Sequence, residues 1–344
     1  MSNISFIEYD GLNKKNSLIL EKFLSENDFE LNTLLISPIW ISKLITKYNI
    51  SCQLIIFYEK DEVIAFHIRL NEFRGYIRVR NYPFLMRSLL TPILKLFFSY
   101  SMWRYSLITK QNISSENLQY INNCLEISIN RIRHVKFSPI YDTQNTNFDN
   151  KEISKWATYI VNLRSKTYFD INTLFSRSLK RSLKKIRNNT SITCERLDFS
   201  DKKTVKNFVN WVQIIQKNTG KKIKYDAEIL IQDQKDFSDK KFIYEIFLVK
   251  LNLDTILGSM VIYGDRNYVN EAELNISLDA KKMNIICQDL IRDEVIKFCI
   301  KNGVSFYDLS GFNPNKNRSK KEEGIRFGKA KFNANEFHYS ILNR

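Results

Sequence analysis

A helix followed by a strand is predicted within residues 283–314, MNIICQDLIRDEVIKFCIKNGVSFYDLSGFNP. Apolar residues recur at helical spacing over residues 287–301, and residues 305–309 form a short aromatic and apolar run typical of a buried strand. Asp308 lies in that strand, just before a turn that contains Gly311. Site residues are common at such positions in α/β folds, so Asp308 is a candidate site residue. The alternative is an aspartate that only initiates the turn.

The two halves of the chain are predicted to have the same order of elements. In the first half, a helix leads to a hairpin, a second helix and a strand, at residues 37–48, 53–58, 63–70, 116–133 and 134–138. In the second half, a helix leads to three strands ahead of the segment quoted above, at residues 205–217, 242–251, 256–263 and 268–277. With 344 residues and 44% hydrophobic content, the chain can form two cores. We therefore predict α+β domains at residues 1–152 and 153–344, each a mixed central sheet flanked by helices.

Basic residues are concentrated in the second half. The net charge is +16, of which residues 1–150 carry +3 and residues 151–344 carry +13. A field of this size favours a polyanionic partner, such as RNA, a phosphate-bearing substrate or an anionic membrane face. A lysine-rich composition would explain the number of lysines, but it explains their concentration in one half less well.

A strongly basic helix is predicted over residues 170–188. Its apolar residues recur at helical spacing, at Phe175, Leu179, Leu183 and Ile186. Arg177 and five further cations cover much of the remaining surface, and those five are the candidate phosphate-binding residues: Lys180, Arg181, Lys184, Lys185 and Arg187. Like charges at this spacing repel one another, so an anion beside the helix would stabilise it. A solvated helix face is the alternative.

The C-terminal residues are predicted to form a mobile basic loop. Residues 324–332, GIRFGKAKF, include Arg326 and Lys329. Four more cations precede them in a polar segment: Lys316, Arg318, Lys320 and Lys321. Such a loop suits closure over an anionic substrate, and it suits equally well an exposed tail with no role.

Cysteines and histidines give no sign of a disulfide framework or a zinc site. The five cysteines and three histidines are scattered, without a CxxC or a histidine pair. This pattern fits a reducing cytosol, and we expect a cytoplasmic protein with no metal and no tightly bound cofactor.

We also expect a soluble chain. Its N-terminus lacks the layout of a signal peptide. Residues 84–103 are the most apolar stretch, but Arg87, Pro92 and Lys95 interrupt it, so it falls short of a spanning helix. The same residues could instead dock at the inner membrane face, near a lipid-linked acceptor; a packed core helix is the alternative.

Several motifs resemble those of the FemAB-like transferases, a branch of the acyltransferase (GNAT) superfamily. Residues 156–163 and the basic helix after them are similar to the entry to the family's second domain. Asn284 and Gln288 resemble its Asn-x-x-x-Gln at the start of a late helix. YDLSG at residues 307–311 resembles its aromatic-Asp-hydrophobic-x-Gly strand, and KAKF at residues 329–332 resembles its closing Lys-x-x-Phe. SPIWISKL at residues 37–44 and the strands after it are similar to the opening of the family's first domain, so the matches occur in the family's order over most of the chain.

The resemblance implies tandem GNAT-like domains and transfer of an activated aminoacyl or acyl group to an amine. In one branch the donor is aminoacyl-tRNA and the acceptor a peptidoglycan precursor; another branch acts in surface-glycan pathways. We expect aminoacyl-tRNA or acyl-coenzyme A as co-substrate, with tRNA favoured, and a nucleotide- or lipid-linked glycan precursor as acceptor. The amine must lose a proton and the developing oxyanion needs a donor, so our hypothesis has Asp308 orienting substrate or accepting a proton, and Lys329 or Arg326 holding phosphate or stabilising the oxyanion. Asn284, Gln288 and Tyr307 are implied to bind substrate.

Two departures keep other functions open. Residues 280–283, AKKM, lack the small residues usual before the late helix, and the Gly-rich loop that cradles coenzyme A pyrophosphate is missing. The missing loop weighs against a coenzyme A donor, although an acyl-coenzyme A-dependent sugar N-acyltransferase stays an alternative. The second alternative function is a non-catalytic module that has the same fold and binds RNA or a nucleotide-sugar.

Overall fold

The structure is a computed structural model, and it describes residues 4–27, 33–48, 50–73, 86, 100–110, 112–129, 134–137, 153–218, 226–315 and 318–343. These residues form two compact units, and the second contains the described residues from Thr158 to Phe337. The architecture is mixed α+β, as the sequence predicted. The domain bounds 1–152 and 153–344 stay a prediction.

The first unit is built on a mostly antiparallel sheet. Its strands are β1 (Ile4–Asp10), β2 (Ile50–Glu59), β3 (Glu62–Phe73), β4 (Tyr100–Thr109), β5 (His134–Phe137) and, from His338 on, β12 (Asn335–Asn343). They lie side by side in that order, and the β4–β5 pair is parallel. Its helices are α1 (Lys14–Glu26), α2 (Pro38–Tyr48) and α3 (Ser115–Ile129). Ile55, Phe57 and Ile64 pack against Ile121 and Leu125 in its core.

The second unit is a mixed sheet with helices. Its strands are β6 (Ile153–Asn162, from Thr158 on), β7 (Ile192–Arg196), β8 (Ile243–Leu251), β9 (Thr255–Gly264), β10 (Tyr268–Ile276) and β11 (Phe306–Phe312). They lie in the order β6-β11-β10-β9-β8-β7, with β10 and β11 parallel and β7 to β10 antiparallel. Its helices are α4 (Tyr168–Leu174), α5 (Arg177–Arg187), α6 (Lys202–Asn218), α7 (Ala227–Asp239), α8 (Leu278–Lys282), α9 (Cys287–Lys301) and α10 (Lys320–Ala330).

Helix α9 and helix α6 cover opposite faces of the second sheet. A Cβ built on Gly258 would lie 2.8 Å from the Cβ of Cys287, so that face of β9 lies directly against α9. Glu273, which pairs with Val261, accepts a hydrogen bond of 3.0 Å from Gln216 of α6. Because Gly258 and Val261 are three residues apart on β9, their side chains point to opposite faces. A strand that is covered on both faces has a nearly continuous run of apolar residues in its sequence, and residues 256–263 form such a run.

Two sequence predictions are wrong at the level of elements. The basic helix predicted over residues 170–188 is two helices, α4 and α5, because Thr167 and Ser176 each cap a separate N-terminus. The tail predicted as a mobile basic loop contains α10, which starts with a capping box between Ser319 and Glu322.

Parts of two further predictions lie outside the described residues. The apolar segment 84–103 is described only at Met86 and at the start of β4, and Lys316 is not described. Among the described residues, no helix is both long enough and apolar enough to cross a membrane.

Candidate active site

The pairing between strands β10 and β11 ends at the residues that form the candidate site. Their parallel pairing ends at Asn270 and Asp308, although β10 continues to Ile276 and β11 to Phe312. A bulge in β10 between Glu271 and Glu273 follows immediately. Bulges redirect side chains and end pairing, and they are enriched beside active sites. The polar groups described next lie at this divergence.

The carboxylate of Asp308 is buried and held on both oxygens. Oδ1 accepts from the hydroxyl of Thr158 and from the backbone N–H of Ser310 at 2.7 Å. Oδ2 accepts from the hydroxyl of Tyr268 and the amide of Asn270, each at 2.9 Å. Burial raises the pKa of Asp308, and these hydrogen bonds partly oppose that rise. The carboxylate is therefore fixed in orientation by four donors.

Lys329 is a buried lysine whose ammonium faces main-chain carbonyls of β11. Its Nζ donates to the carbonyl of Ser310 at 2.8 Å and to that of Gly311 at 3.0 Å, and the residue is only 5% exposed. Burial lowers the pKa of Lys329 to about 8. An ammonium has three N–H donors, so one remains after these two hydrogen bonds.

A buried ion pair lies close to Lys329. Arg292 of α9 donates to both carboxylate oxygens of Glu271, at 2.7 and 2.9 Å. Burial by itself lowers the pKa of Arg292, but the charge of Glu271 outweighs it and the pKa is raised. The charges of both partners act on Lys329, Glu271 raising its pKa and Arg292 lowering it. This pair therefore belongs to the surroundings of Lys329, and the sequence had not singled it out.

Tyr307 has no exposed surface, and its hydroxyl already donates a hydrogen bond within the chain. It donates to Glu271 at 2.8 Å, and burial together with the charge of Glu271 raises its pKa well above the ordinary value. The predicted role of Tyr307 in binding substrate stays a prediction. The geometry favours a role in positioning Glu271.

The basic helix α5 has the two faces that its sequence predicts. Leu179, Leu183 and Ile186 are buried. The outward face carries exposed cations, at Arg177, Lys180, Arg181, Lys184 and Lys185. Lys180 donates to the carbonyl of Thr173 at 2.8 Å. The exposed cations of α5 are therefore placed to meet a polyanion.

Arg187 differs from its neighbours on α5. Its guanidinium pairs with the fully buried carboxylate of Asp293 on α9 and donates to the hydroxyl of Tyr168 at 3.3 Å. Tyr168 itself donates to Asp293 at 2.6 Å. Arg187 thus holds α4 and α5 against α9, which leaves it less available to phosphate than the exposed cations.

The other predicted site residues lie at two further places. Asn284 is exposed in the turn before α9, with a φ of 54°, a left-handed conformation that asparagine tolerates better than most residues. Gln288 is half-buried in the first turn of α9. Arg326 of α10 is half-buried and lies 3.6 Å from Glu336. The structure brings Asp308, Tyr307 and Lys329 to one part of the unit. Arg326 instead forms an ion pair with Glu336.

Sequence reasoning missed the partners that complete the site. Thr158, Tyr268 and Asn270 hold Asp308, and Glu271 with Arg292 flanks Lys329. No local signal singles out Arg292, because Asp293 and Glu294 follow it directly in the sequence. The sequence also does not tell which opposite charge lies across the fold.

The described part of the chain shows no metal site, and the pKa values of the three cysteines of the second unit are raised. No cluster of His, Cys, Asp and Glu residues there could hold a metal ion. Burial raises the pKa of Cys287 to about 12, and it raises the pKa of Cys194 and Cys299 as well. These thiols are therefore poor nucleophiles at neutral pH.

Comparison with solved structures identifies the fold. No protein-family profile and no curated protein sequence matches this chain. FemX matches with a TM-score of 0.56 at 11% identity, over 97% of this chain and 96% of FemX. The C-terminal domain of an Agrobacterium fabrum protein named as a lysylphosphatidylglycerol synthetase matches with a TM-score of 0.55 at 10% identity, over 96% and 92%. A Bacteroides thetaiotaomicron protein of unknown function matches with a TM-score of 0.53 at 8% identity, over the full length of both chains.

At these identities the likeness concerns the fold alone. This chain has the fold of FemX and of the Agrobacterium fabrum domain, which confirms the fold that the resemblance of its motifs predicted.

Proposed function

We propose that this chain transfers an aminoacyl or acyl group from an activated donor to an amine, with aminoacyl-tRNA as the favoured donor. The acceptor amine would belong to a cell-wall or surface-glycan precursor. The FemX-like fold and the name of the lysylphosphatidylglycerol synthetase domain, which describes an aminoacylated product, support this class of reaction. Fold alone does not define a reaction, so the proposal depends on the site.

The observation that carries the proposal is the buried ammonium of Lys329 at the divergence of β10 and β11. In aminoacyl transfer the amine attacks the ester carbonyl, a C–N bond forms, and the C–O bond to the donor breaks. Negative charge develops on the carbonyl oxygen before that bond breaks, and a fixed cation in a dry site stabilises it most. Lys329 is 5% exposed and has one N–H left to donate, which suits this role.

Asp308 fits an orienting role better than proton acceptance. Both of its oxygens are occupied by donors from three strands, β6, β10 and β11. A carboxylate held in this way fixes the ends of those strands around the site, and it has little capacity to take a proton from the attacking amine. That proton would pass to the departing oxygen or to solvent.

The exposed cations of α5 support a polyanionic donor. Their helix has no acidic residue, and residues 151–344 carry a net charge of +13. Lys and Arg side chains neutralise phosphates without reading sequence, as a donor tRNA of variable sequence requires. The proposed site therefore combines a phosphate-binding helix with a buried cation.

A transfer assay tests the proposal. Bulk bacterial tRNA charged with radiolabelled amino acids is incubated with the chain and with a pool of precursors extracted from bacterial envelopes. We expect label in a product that is stable to mild base, as an amide is and the donor ester is not. Lys329→Met should lower its formation at least about 100-fold, the usual effect of losing an oxyanion donor.

Lys320→Met serves as the matched control. Lys320 is exposed at the first position of the same helix, so its loss removes the same charge without touching the site. Thermal unfolding of all three proteins checks that they are folded. Equal rates for the two variants would refute the role of Lys329, and absence of product with every donor would refute the transferase.

A further inference from the structure

The described part of the second unit has five buried carboxylates, and hydrogen-bond donors reach all of their buried oxygens except one: Asp265, Glu271, Asp289, Asp293 and Asp308. Oδ1 of Asp265 accepts from the backbone N–H groups of Asn267 and Tyr268. Asp308 accepts on both oxygens, as described above. Asp293 accepts from Tyr168 on Oδ1 and from Arg187 and Lys297 on Oδ2. Glu271 accepts from Arg292 on both oxygens and from Tyr307 on one. Asp308, Asp293 and Glu271 thus each have partners within the chain on both carboxylate oxygens.

Asp289 is the exception. Its side chain has no exposed surface, and Oδ2 accepts from Nζ of Lys331 at 3.1 Å. Oδ1 is buried and has no hydrogen-bond partner. A buried acceptor without a donor destabilises a protein, and such groups are rare in native structures. In this unit, an open carboxylate oxygen is therefore a feature that calls for a donor.

The location of Asp289 links it to the proposed site. It lies in the first turn of α9, and Ile286 before that helix provides no side-chain cap. Its charge acts on Arg292, one turn further along α9, and Arg292 acts on Lys329. Lys331, the partner of Asp289, lies two residues after Lys329 at the end of α10. Asp289 thus belongs to the same group of buried charges as Lys329.

Lys331 lies between Asp289 and the exposed ring of Phe327. The side chain of Lys331 is 12% exposed, and its Nζ lies 5.6 Å from the centre of the Phe327 ring. Phe327 is 62% exposed on α10, so Lys331 separates the buried carboxylate from an aromatic side chain at the surface.

We infer that Oδ1 of Asp289 accepts a hydrogen bond from the α-amino group of an aminoacyl donor. This inference rests on the proposed function and deepens it. An aminoacyl ester offers an N–H donor one carbon away from the reacting carbonyl, whereas the acyl group of a simple acyl thioester offers none. A carboxylate oxygen takes only donors, so this oxygen distinguishes the two donor classes. Asp289 would therefore select donors with a free α-amino group.

Binding of two matched donor pools tests the inference. One pool is bulk bacterial tRNA charged with the full set of amino acids, and the other is the same pool after N-acetylation. We expect the wild-type chain to bind the free-amine pool about tenfold more tightly, which corresponds to about 1.4 kcal/mol. Asp289→Asn should abolish most of that preference, because the Asn oxygen would turn to Lys331 and leave an NH2 group facing the donor.

Asp279→Asn is the matched control, since Asp279 is exposed and pairs only with Lys282 at the surface, at 3.7 Å. It should keep the full preference. Equal binding of both pools by the wild-type chain would overturn the inference and leave the proposed function standing, as would a preference that survives Asp289→Asn. Failure of the wild-type chain to bind either pool would overturn both.

Discussion

At the scale of single residues, the site is defined by charges that lie where the solvent does not reach. Lys329, Arg292, Asp289 and Asp308 are each at most 5% exposed. Burying an unpaired charge is strongly unfavourable, so these groups persist only because each has a partner or a bound proton that the fold provides. Lys329 is the member whose charge state changes near neutral pH.

The pH dependence of the reaction should follow the ammonium of Lys329. Burial lowers its pKa to about 8, so the cation that stabilises the oxyanion is lost as the pH rises through that value. We therefore expect kcat/KM to fall above about pH 8, which a pH–rate profile measures. Lys329→Arg keeps its charge and should remove this fall. Identical profiles of the wild-type chain and Lys329→Arg above pH 8 would show that the ammonium of Lys329 is not the group that controls the rate.

The lowered pKa of Lys329 also makes the free energy of unfolding depend on pH. The folded pKa of Lys329 lies below its ordinary value of 10.5, so the unfolded chain binds more protons between about pH 8 and pH 10.5. The contribution of Lys329 to the free energy of unfolding therefore rises with pH across that window. Denaturant titrations of the wild-type chain and of Lys329→Met should differ in that slope.

At the scale of elements, α10 shows how local chemistry and tertiary anchors combine. The sequence contains two glycines, Gly324 and Gly328, which favour a loop. A capping box at its start and the buried Lys329 near its end nevertheless hold this segment as a helix. The glycines lie on the helix with nothing within 4 Å of a built Cβ.

Alanine at these two positions should stabilise the chain. Each of Gly324→Ala and Gly328→Ala should raise the free energy of unfolding by about 0.5 to 1 kcal/mol, because alanine loses less backbone entropy in a helix. Denaturant titration of each variant measures the change. If residues 320–330 were a loop, neither substitution would stabilise the protein.

Gly264→Ala is a control for which the opposite change in the free energy of unfolding is expected. A Cβ at Gly264 would lie 2.0 Å from the backbone oxygen of Tyr268, a contact that the β9–β10 turn cannot relieve without moving main chain. This variant should lower the free energy of unfolding.

At the scale of the whole molecule, the question is whether total charge or its placement governs polyanion binding. The chain carries +16, yet α5 is the one helix of the described second unit whose exposed face combines five cations with no acidic residue. If placement matters, removing cations from α5 should weaken RNA binding more than removing the same number elsewhere.

Charge neutralisation of α5 tests placement. The triple variant Arg177→Gln, Arg181→Gln and Lys184→Gln should weaken binding of bulk tRNA and lower the slope of log K against log salt by about 2 to 3. Filter binding at several salt concentrations measures both quantities. The control triple Lys202→Gln, Lys203→Gln and Lys206→Gln removes equal charge from exposed positions of α6. Equal losses in both triples would show that only total charge matters.

The sequence by itself determined the class of fold and the order of many of its elements. Periods of apolar residues predicted α2, α9, the hairpin of β2 and β3, and the two faces of α5, because these patterns depend on neighbours along the chain. The resemblance of a few motifs to those of FemAB-like transferases also pointed to the fold that this chain shares with FemX. Asp308 and Lys329 were singled out as site residues on the same grounds.

Only the tertiary structure decided which charges are buried and with whom. Arg292 pairs with Glu271 of β10, Arg187 with Asp293 of α9, and Lys329 reaches the carbonyls of Ser310 and Gly311. Local periodicity cannot identify such partners, because each pair joins different elements, and a charge is stable in the interior only when its distant partner is present. For the same reason the open oxygen of Asp289 is invisible in the sequence: it is defined by the donor that the folded chain does not supply.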